Sequence, residues 1–275
     1  MEKISRSELR KIQIKMLKYI KNICEQNNIR YFLFGGTLIG AVRHKGYIPW
    51  DDDVDICVPY KDYRRLINII NSKNEYKVLN PYDNEDYYYF FSKMVDKRTI
   101  LIEDNYKKIK DMGVFLDIFP ICNMPNDKEE LDKYVKKVKK LERSFFRMYG
   151  FKKYYYNKNL IIRIIKAIIF FIPYLFKKKI YKNKYKLLNL LEKYESEDTD
   201  YVGNVLPPCT IKGMVKKEVY DESTYVQFED EMYSASAKYD QYLTQVYGNY
   251  MTPPPENERI APHMFDAFWK NKVES

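Results

Sequence analysis

The chain has 275 residues, 45% of them hydrophobic, enough for one large domain or a core with a smaller unit appended. Its 48 Lys and Arg outnumber 38 Asp and Glu, for a net charge of +10. That balance points to an anionic partner: nucleic acid, an anionic membrane or a phosphorylated substrate. The four cysteines, Cys24, Cys57, Cys122 and Cys209, form no Cys-x-x-Cys pair. Neither a zinc nor a thioredoxin motif is supported, and reduced thiols are expected. The charged N-terminus has no apolar run, so no signal peptide is expected, and the expected location is cytoplasmic.

Ser5 and Glu8 have the spacing of a capping box. Leu9, Ile12, Met16, Ile20 and Ile23 follow at helical period and predict a helix ending near Asn27 and Asn28. Residues 29–34 read as a strand. Gly35 and Gly36 read as a tight turn where backbone approaches something closely, and residues 38–43 as a short helix. After a loop over 46–50, an acidic strand runs to Val58. Pro59 opens a helix with Tyr63, Leu66, Ile67 and Ile70 on one face. Short strands are expected near 87–95, 99–102 and 114–119.

The second half reads as mainly helical. Asp127 is the expected N-cap of a long basic helix to about Tyr149. Residues 160–176 are apolar but contain Arg163, Lys166 and Pro173, a poor membrane span. With Lys177, Lys178 and Lys179 following, the stretch fits a helix in a membrane interface; a core helix with two snorkelling cations is the alternative. Another helix is expected over 181–194, an acidic linker over 195–200, and a last helix over 237–247 that Gly248 closes. The expected class is α/β (α+β): a mixed sheet with flanking helices and a helical second half. The expected divisions are a catalytic core (1–123), a helical insertion (124–200) and a C-terminal helical segment completing the core (201–275).

The most informative stretch is Asp51, Asp52, Asp53 and Asp55. Val54, Ile56 and Val58 alternate with acidic and polar neighbours, so Asp53 and Asp55 share a strand face. Two carboxylates about 4 Å apart repel by roughly 4 kcal/mol at an effective dielectric near 20. A shared proton or a divalent cation removes that cost, and hard oxygen ligands favour Mg²⁺, Mn²⁺ or Ca²⁺. A solvated acidic loop is the plainer alternative. Asp117, a lone charge in the apolar run 113–120, is the candidate third carboxylate, because a buried charge needs a partner or a metal. A structural ion pair is the other reading.

The run Gly35-Gly36-Thr37 through Arg43-His44-Lys45-Gly46 to Pro49-Trp50-Asp51-Asp52-Asp53-Val54-Asp55 closely resembles the signature of the LicD/fukutin family. Leu116-Asp117-Ile118-Phe119-Pro120, Phe228-Glu229, Tyr247-Gly248-Asn249-Tyr250-Met251 and His263 extend the resemblance. Residues 125–200 lie outside it. The resemblance implies a nucleotidyltransferase fold and transfer of phosphocholine from CDP-choline to a sugar hydroxyl of teichoic acid, lipopolysaccharide or capsule, with release of CMP. A CDP-polyol donor carrying ribitol or glycerol phosphate is the alternative. It further implies that Asp53, Asp55 and Asp117 are catalytic and hold Mg²⁺, with Mn²⁺ as the substitute, and that Asp51 is an outer ligand or orients a metal-bound water. Gly35, Gly36 and Thr37 would contact the diphosphate. Arg43, His44 and Lys93 would neutralise phosphate charge, and His263 would touch substrate; each has a structural alternative.

A choline head group would need aromatic walls, for which Trp50 and the run 87–91 are candidates, although in so Tyr-rich a chain chance placement is the better explanation. The implied partners are a CDP-linked donor, a glycan or lipid-linked glycan acceptor and an anionic membrane surface on the inner face of the plasma membrane. Nucleic acid is not expected, because the cations are dispersed and no RNA-binding motif occurs. A non-catalytic nucleic-acid- or membrane-binding protein on the same fold is the rival of another class.

Overall fold

The computed structural model describes residues 1–83, 87–103, 108–149, 177–204, 213–261 and 265–270, and side chains within these outside 142–149 and 177–181. The apolar stretch 160–176 and His263 lie outside the described residues. No described helix is long and apolar enough to cross a membrane.

Helix α1 (Arg6–Gln26) starts at the Ser5–Glu8 capping box and buries Leu9, Ile12, Met16, Leu17, Ile20 and Ile23. A mixed sheet follows, in the order β1 (Phe32–Leu33), β2 (Asp55–Pro59), β6 (Phe115–Met124), β4 (Ser92–Asp96) and β3 (Tyr76–Leu79). β2 runs parallel to β6; the other neighbours are antiparallel. The far end of β6 also pairs with β7 (Tyr201–Gly203), which pairs with β8 (Met214–Lys216). β5 (Thr99–Glu103) pairs with β11 (Phe265–Trp269), and β9 (Ser223–Phe228) with β10 (Glu231–Ser236).

Helix α2 (Gly35–His44) links β1 to β2, and α3 (Tyr60–Ser72) follows β2. Helices α4 (Lys128–Tyr149) and α5 (Lys177–Glu192) pack together, and α6 (Tyr239–Tyr247) follows the hairpin. Alternation along β6 divides the interior. Leu116 and Ile118 join α1 and α3 in one core, while Phe115 faces a second core with Val135, Leu187 and Leu191 of α4 and α5. Asp117 shares the parity of Phe115 and Phe119. Cys24, Cys57 and Cys122 are buried and free.

Four details differ from the sequence reading. Gly35 and Gly36 open α2 rather than forming a turn before it, with Gly35 at φ +53°. The ladder of β2 begins at Asp55, so Asp53 lies in the irregular approach and not on a shared strand face. Residues 87–91 are irregular, and β4 starts at Ser92. Among the described residues, the segment after residue 200 carries five strands and one α-helix, and residues 223–236 fold into a hairpin around Glu229 and Asp230.

Candidate active site

The carboxylates converge because two register relations force it. Asp55, first residue of β2, lies opposite Asp117 in the parallel β2–β6 pair, and Lys93 lies opposite Asp117 in the antiparallel β4–β6 pair. One oxygen from each of Asp53, Asp55 and Asp117 falls within 4.8 Å of the others, and so does a second set from Asp51, Asp52 and Asp53.

The loop before β2 is held from two sides. On one, Arg6 and Arg10 each donate an Nη2 hydrogen bond of 3.0 Å to the Asp51 carbonyl. Gln13, a buried amide on the apolar face of α1, donates to the Asp52 carbonyl at 2.9 Å. On the other, the Asp55 N–H donates to Thr37 Oγ1 at 2.8 Å, tying β2 to the first turn of α2. The glycines make room for the acids. A Cβ on Gly36 would stand 2.7 Å from Asp51 Oδ2, and one on Gly35 3.0 Å from Asp55 Oδ2. The first turn of α2, with its unshared N–H groups and the positive end of the helix dipole, therefore sits against the carboxylates.

Crowding shows in the proton affinities. Burial, followed by the charge of Asp53 and a hydrogen bond with it, pushes the Asp51 carboxyl up to about 7. Asp55 is raised well above the ordinary carboxylate range by burial, then by Asp53, Asp117 and Asp51, with Lys93 acting in the opposite direction. Hard, crowded, partly buried oxygens that resist ionising together are a donor set suited to a small divalent cation. Asp53, Asp55 and Asp117 can hold one, with Asp51 beside them.

Lys93 is only 1% exposed and grips both oxygens of Asp117 at 2.7 and 2.9 Å. Its ammonium lies 3.5 Å from the ring centre of Phe115 and 4.6 Å from that of Tyr89. Tyr88 and Tyr89 donate to the two oxygens of Glu103, both at 2.6 Å, which fixes the run 87–91 against β5. Of the aromatics that the sequence suggests for a choline, Tyr89 and Phe91 thus face this protein's own ammonium, whereas Trp50 stands elsewhere.

Arg43 and His44 lie in the last turn of α2, at the opposite end from the glycines. Arg43 donates through Nη1 to the Tyr250 carbonyl at 2.6 Å and through Nε to His44 Nε2 at 2.9 Å. His44 must then be neutral at Nε2, and burial, then the Arg43 charge, lowers its pKa. The His44 ring meets Trp50 edge-on at 6.5 Å, and the Arg259 guanidinium lies 5.4 Å from the Trp50 ring centre. The His44 ring and the Arg259 guanidinium thus flank Trp50, the residue next to Asp51.

Sequence reasoning missed Gln13, Arg6, Arg10 and Tyr247. Gln13 had a signal, a polar residue inside an apolar helical stripe. Tyr247 lies in a quoted motif; its hydroxyl would be 3.7 Å from a Cβ on Gly35, and burial, then the Asp55 charge, pushes its pKa up to about 12. Glu229 accepts the Tyr47 N–H at 3.0 Å and so closes the loop after α2.

The chain is 30% identical to the lipopolysaccharide cholinephosphotransferase LicD of Haemophilus influenzae, over 98% of this chain and 99% of that protein. It belongs to the LicD family. A family model described as the LicD/FKTN/FKRP nucleotidyltransferase domain matches residues 28–159. The human ribitol 5-phosphate transferase FKRP is 44% identical over 45 residues, 16% of this chain and 9% of that protein.

Proposed function

We propose that this LicD-family chain transfers phosphocholine from CDP-choline to a hydroxyl of a cell-surface glycan precursor and releases CMP. The reading is carried by the carboxylate cluster that β2, β6 and the preceding loop assemble beside the first turn of α2. Similarity along almost the whole chain to a cholinephosphotransferase supports the choice of head group.

Asp53, Asp55 and Asp117 would hold Mg²⁺, with Mn²⁺ as a substitute. When bound, the ion supplies Lewis-acid neutralisation of phosphate oxygens. The unshared N–H groups of the first turn of α2 offer hydrogen bonds to the donor diphosphate. Arg6, Arg10 and Gln13 keep the aspartate loop in place, and Lys93 keeps Asp117 ionised and oriented. The acceptor oxygen attacks the phosphorus distal to the cytidine, its proton passes to a carboxylate oxygen of the cluster, and the bond to CMP breaks. The role of the protein is positioning and charge compensation, the two effects that dominate phosphoryl transfer.

A second reading, polyol-phosphate transfer from a CDP-polyol, draws support from the short FKRP match and from the seating of Lys93 against Tyr89 and Phe91. A donor screen decides between them. Purified protein is incubated with CDP-choline, CDP-ribitol or CDP-glycerol, a glycan acceptor and Mg²⁺, and CMP release is measured. Release from CDP-choline alone supports the first reading, release from a CDP-polyol alone the second, and release from none refutes both.

A further inference from the structure

Along the outer side of α1 runs a groove of about 670 Å³ lined by Arg6, Arg10, Lys11, Lys15 and Lys18, with Tyr47 on its far wall. The five cations recur at i, i+4, i+5, i+9 and i+12, which places them on one side of the helix. A row of surface lysines alone would be an ordinary solvated face, but three observations set this one apart.

Arg6 and Arg10 point side by side at the same backbone carbonyl, that of Asp51. Arg10 also reaches the carbonyls of Ile48 and Pro49 and stacks on Tyr47 at 4.5 Å, while its Nε is buried without a partner. Among the described residues, none of Arg6, Arg10, Lys11 and Lys15 is ion-paired with a carboxylate. The acids on the rim are already engaged. Glu229 accepts the Tyr47 N–H, and Asp230 pairs with Lys18 at 2.9 Å. Five cations thus face two carboxylates, Glu229 and Asp230, on one concave surface, and Arg6 and Arg10 are tied to backbone carbonyls.

We infer that this groove binds phosphate groups of the acceptor glycan, seating an already phosphorylated acceptor beside the aspartate loop. The inference rests on the glycan-acceptor reading given above. The groove meets the candidate active site through Asp51, whose carbonyl is held by Arg6 and Arg10 while its carboxylate faces Gly36. Planar guanidiniums with fixed orientation suit phosphate oxygens, and the flanking lysines add charge without demanding geometry.

Calorimetric titration without donor tests it. The probe is a phosphorylated lipopolysaccharide core oligosaccharide, compared with the same oligosaccharide after phosphatase treatment. The wild type should bind the phosphorylated form more tightly, and added salt should weaken that binding. Lys11→Gln combined with Lys15→Gln should weaken it about tenfold, since two exposed charge contacts are removed. Lys61→Gln combined with Lys73→Gln, exposed on and beside α3, should leave it unchanged. Equal binding of the two oligosaccharides overturns the inference, and so does equal weakening by the α3 variant. Tighter binding of a single-stranded oligonucleotide or of anionic vesicles than of the phosphorylated oligosaccharide also overturns it. The titration involves no turnover, so failure of the donor screen and failure of the groove are separate results.

Discussion

Lys93 and Asp117 face each other across β4 and β6 as a buried ion pair, with the ammonium touching both carboxylate oxygens. One member is a candidate metal ligand and the other is an internal cation on the same face of the sheet. The pair keeps one carboxylate of a crowded cluster charged in the interior, where a lone carboxylate would take up a proton.

Lys93→Met therefore leaves Asp117 buried without its counter-charge. Breaking a buried pair in this way typically costs about 3–5 kcal/mol. The expected result is a large fall in melting temperature in EDTA, partly reversed by millimolar Mg²⁺, because a cation can replace the missing ammonium. Thermal melts with and without Mg²⁺ check this. An unchanged melting temperature in EDTA would show that the pair contributes little to the fold.

Asp55→Asn should abolish CMP release while keeping the melting temperature in EDTA at or above that of the wild type. The Asp55 backbone N–H, not its side chain, bonds Thr37, so the start of β2 survives the change. What is lost is one of the like charges that burial and three neighbouring aspartates disfavour. Near-normal turnover in this variant would remove Asp55 from the catalytic set.

Gly36→Ala tests the close approach of α2. The added methyl would stand 2.7 Å from Asp51 Oδ2, so the carboxylate must move by several tenths of an ångström. Misplacement of about 1 Å can cost roughly a hundredfold in rate. The expected outcome is at least a tenfold fall in CMP release, with far-ultraviolet dichroism unchanged, since Ala favours a helix over Gly. Full activity would place Asp51 outside the reaction.

Much of this arrangement was legible in the sequence. The capping box, the stripe of α1 and the strand around Asp117 follow from local rules that the fold obeys. The clustering of Asp53 and Asp55 was expected, but for a reason that proved incomplete: Asp53 precedes the strand, and loop geometry brings the two together. The Lys93–Asp117 pair could not be read locally, because its partners are 24 residues apart and meet only through the order of β4 and β6. The β9–β10 hairpin escaped because its two-residue loop, Glu229 and Asp230, lacks the glycine or asparagine that usually marks such a turn. Glu229 adopts φ +55° there all the same, and its N–H donates to the Lys45 carbonyl at 2.8 Å. That bond, together with the Tyr47 contact, holds it in the left-handed region.

A last prediction concerns pH and a site far from the reaction. Glu195, after α5, accepts the Asn123 N–H at 2.8 Å from the end of β6. Burial raises its carboxyl to about 7, against the lowering effect of that bond. The folded state therefore holds a proton that the unfolded chain releases near its ordinary value of 4.5. The resulting stabilisation is complete below the unfolded pKa and is lost as pH rises through about 7. Glu195→Gln keeps an oxygen to accept the Asn123 N–H but cannot ionise. It should match the wild type near pH 5 and exceed it at pH 8 by about 1 kcal/mol, discounted because the group is partly exposed. Urea unfolding at the two pH values measures the difference. Equal stability of the variant and the wild type at pH 8 would mean that water already solvates the Glu195 carboxylate in the folded protein.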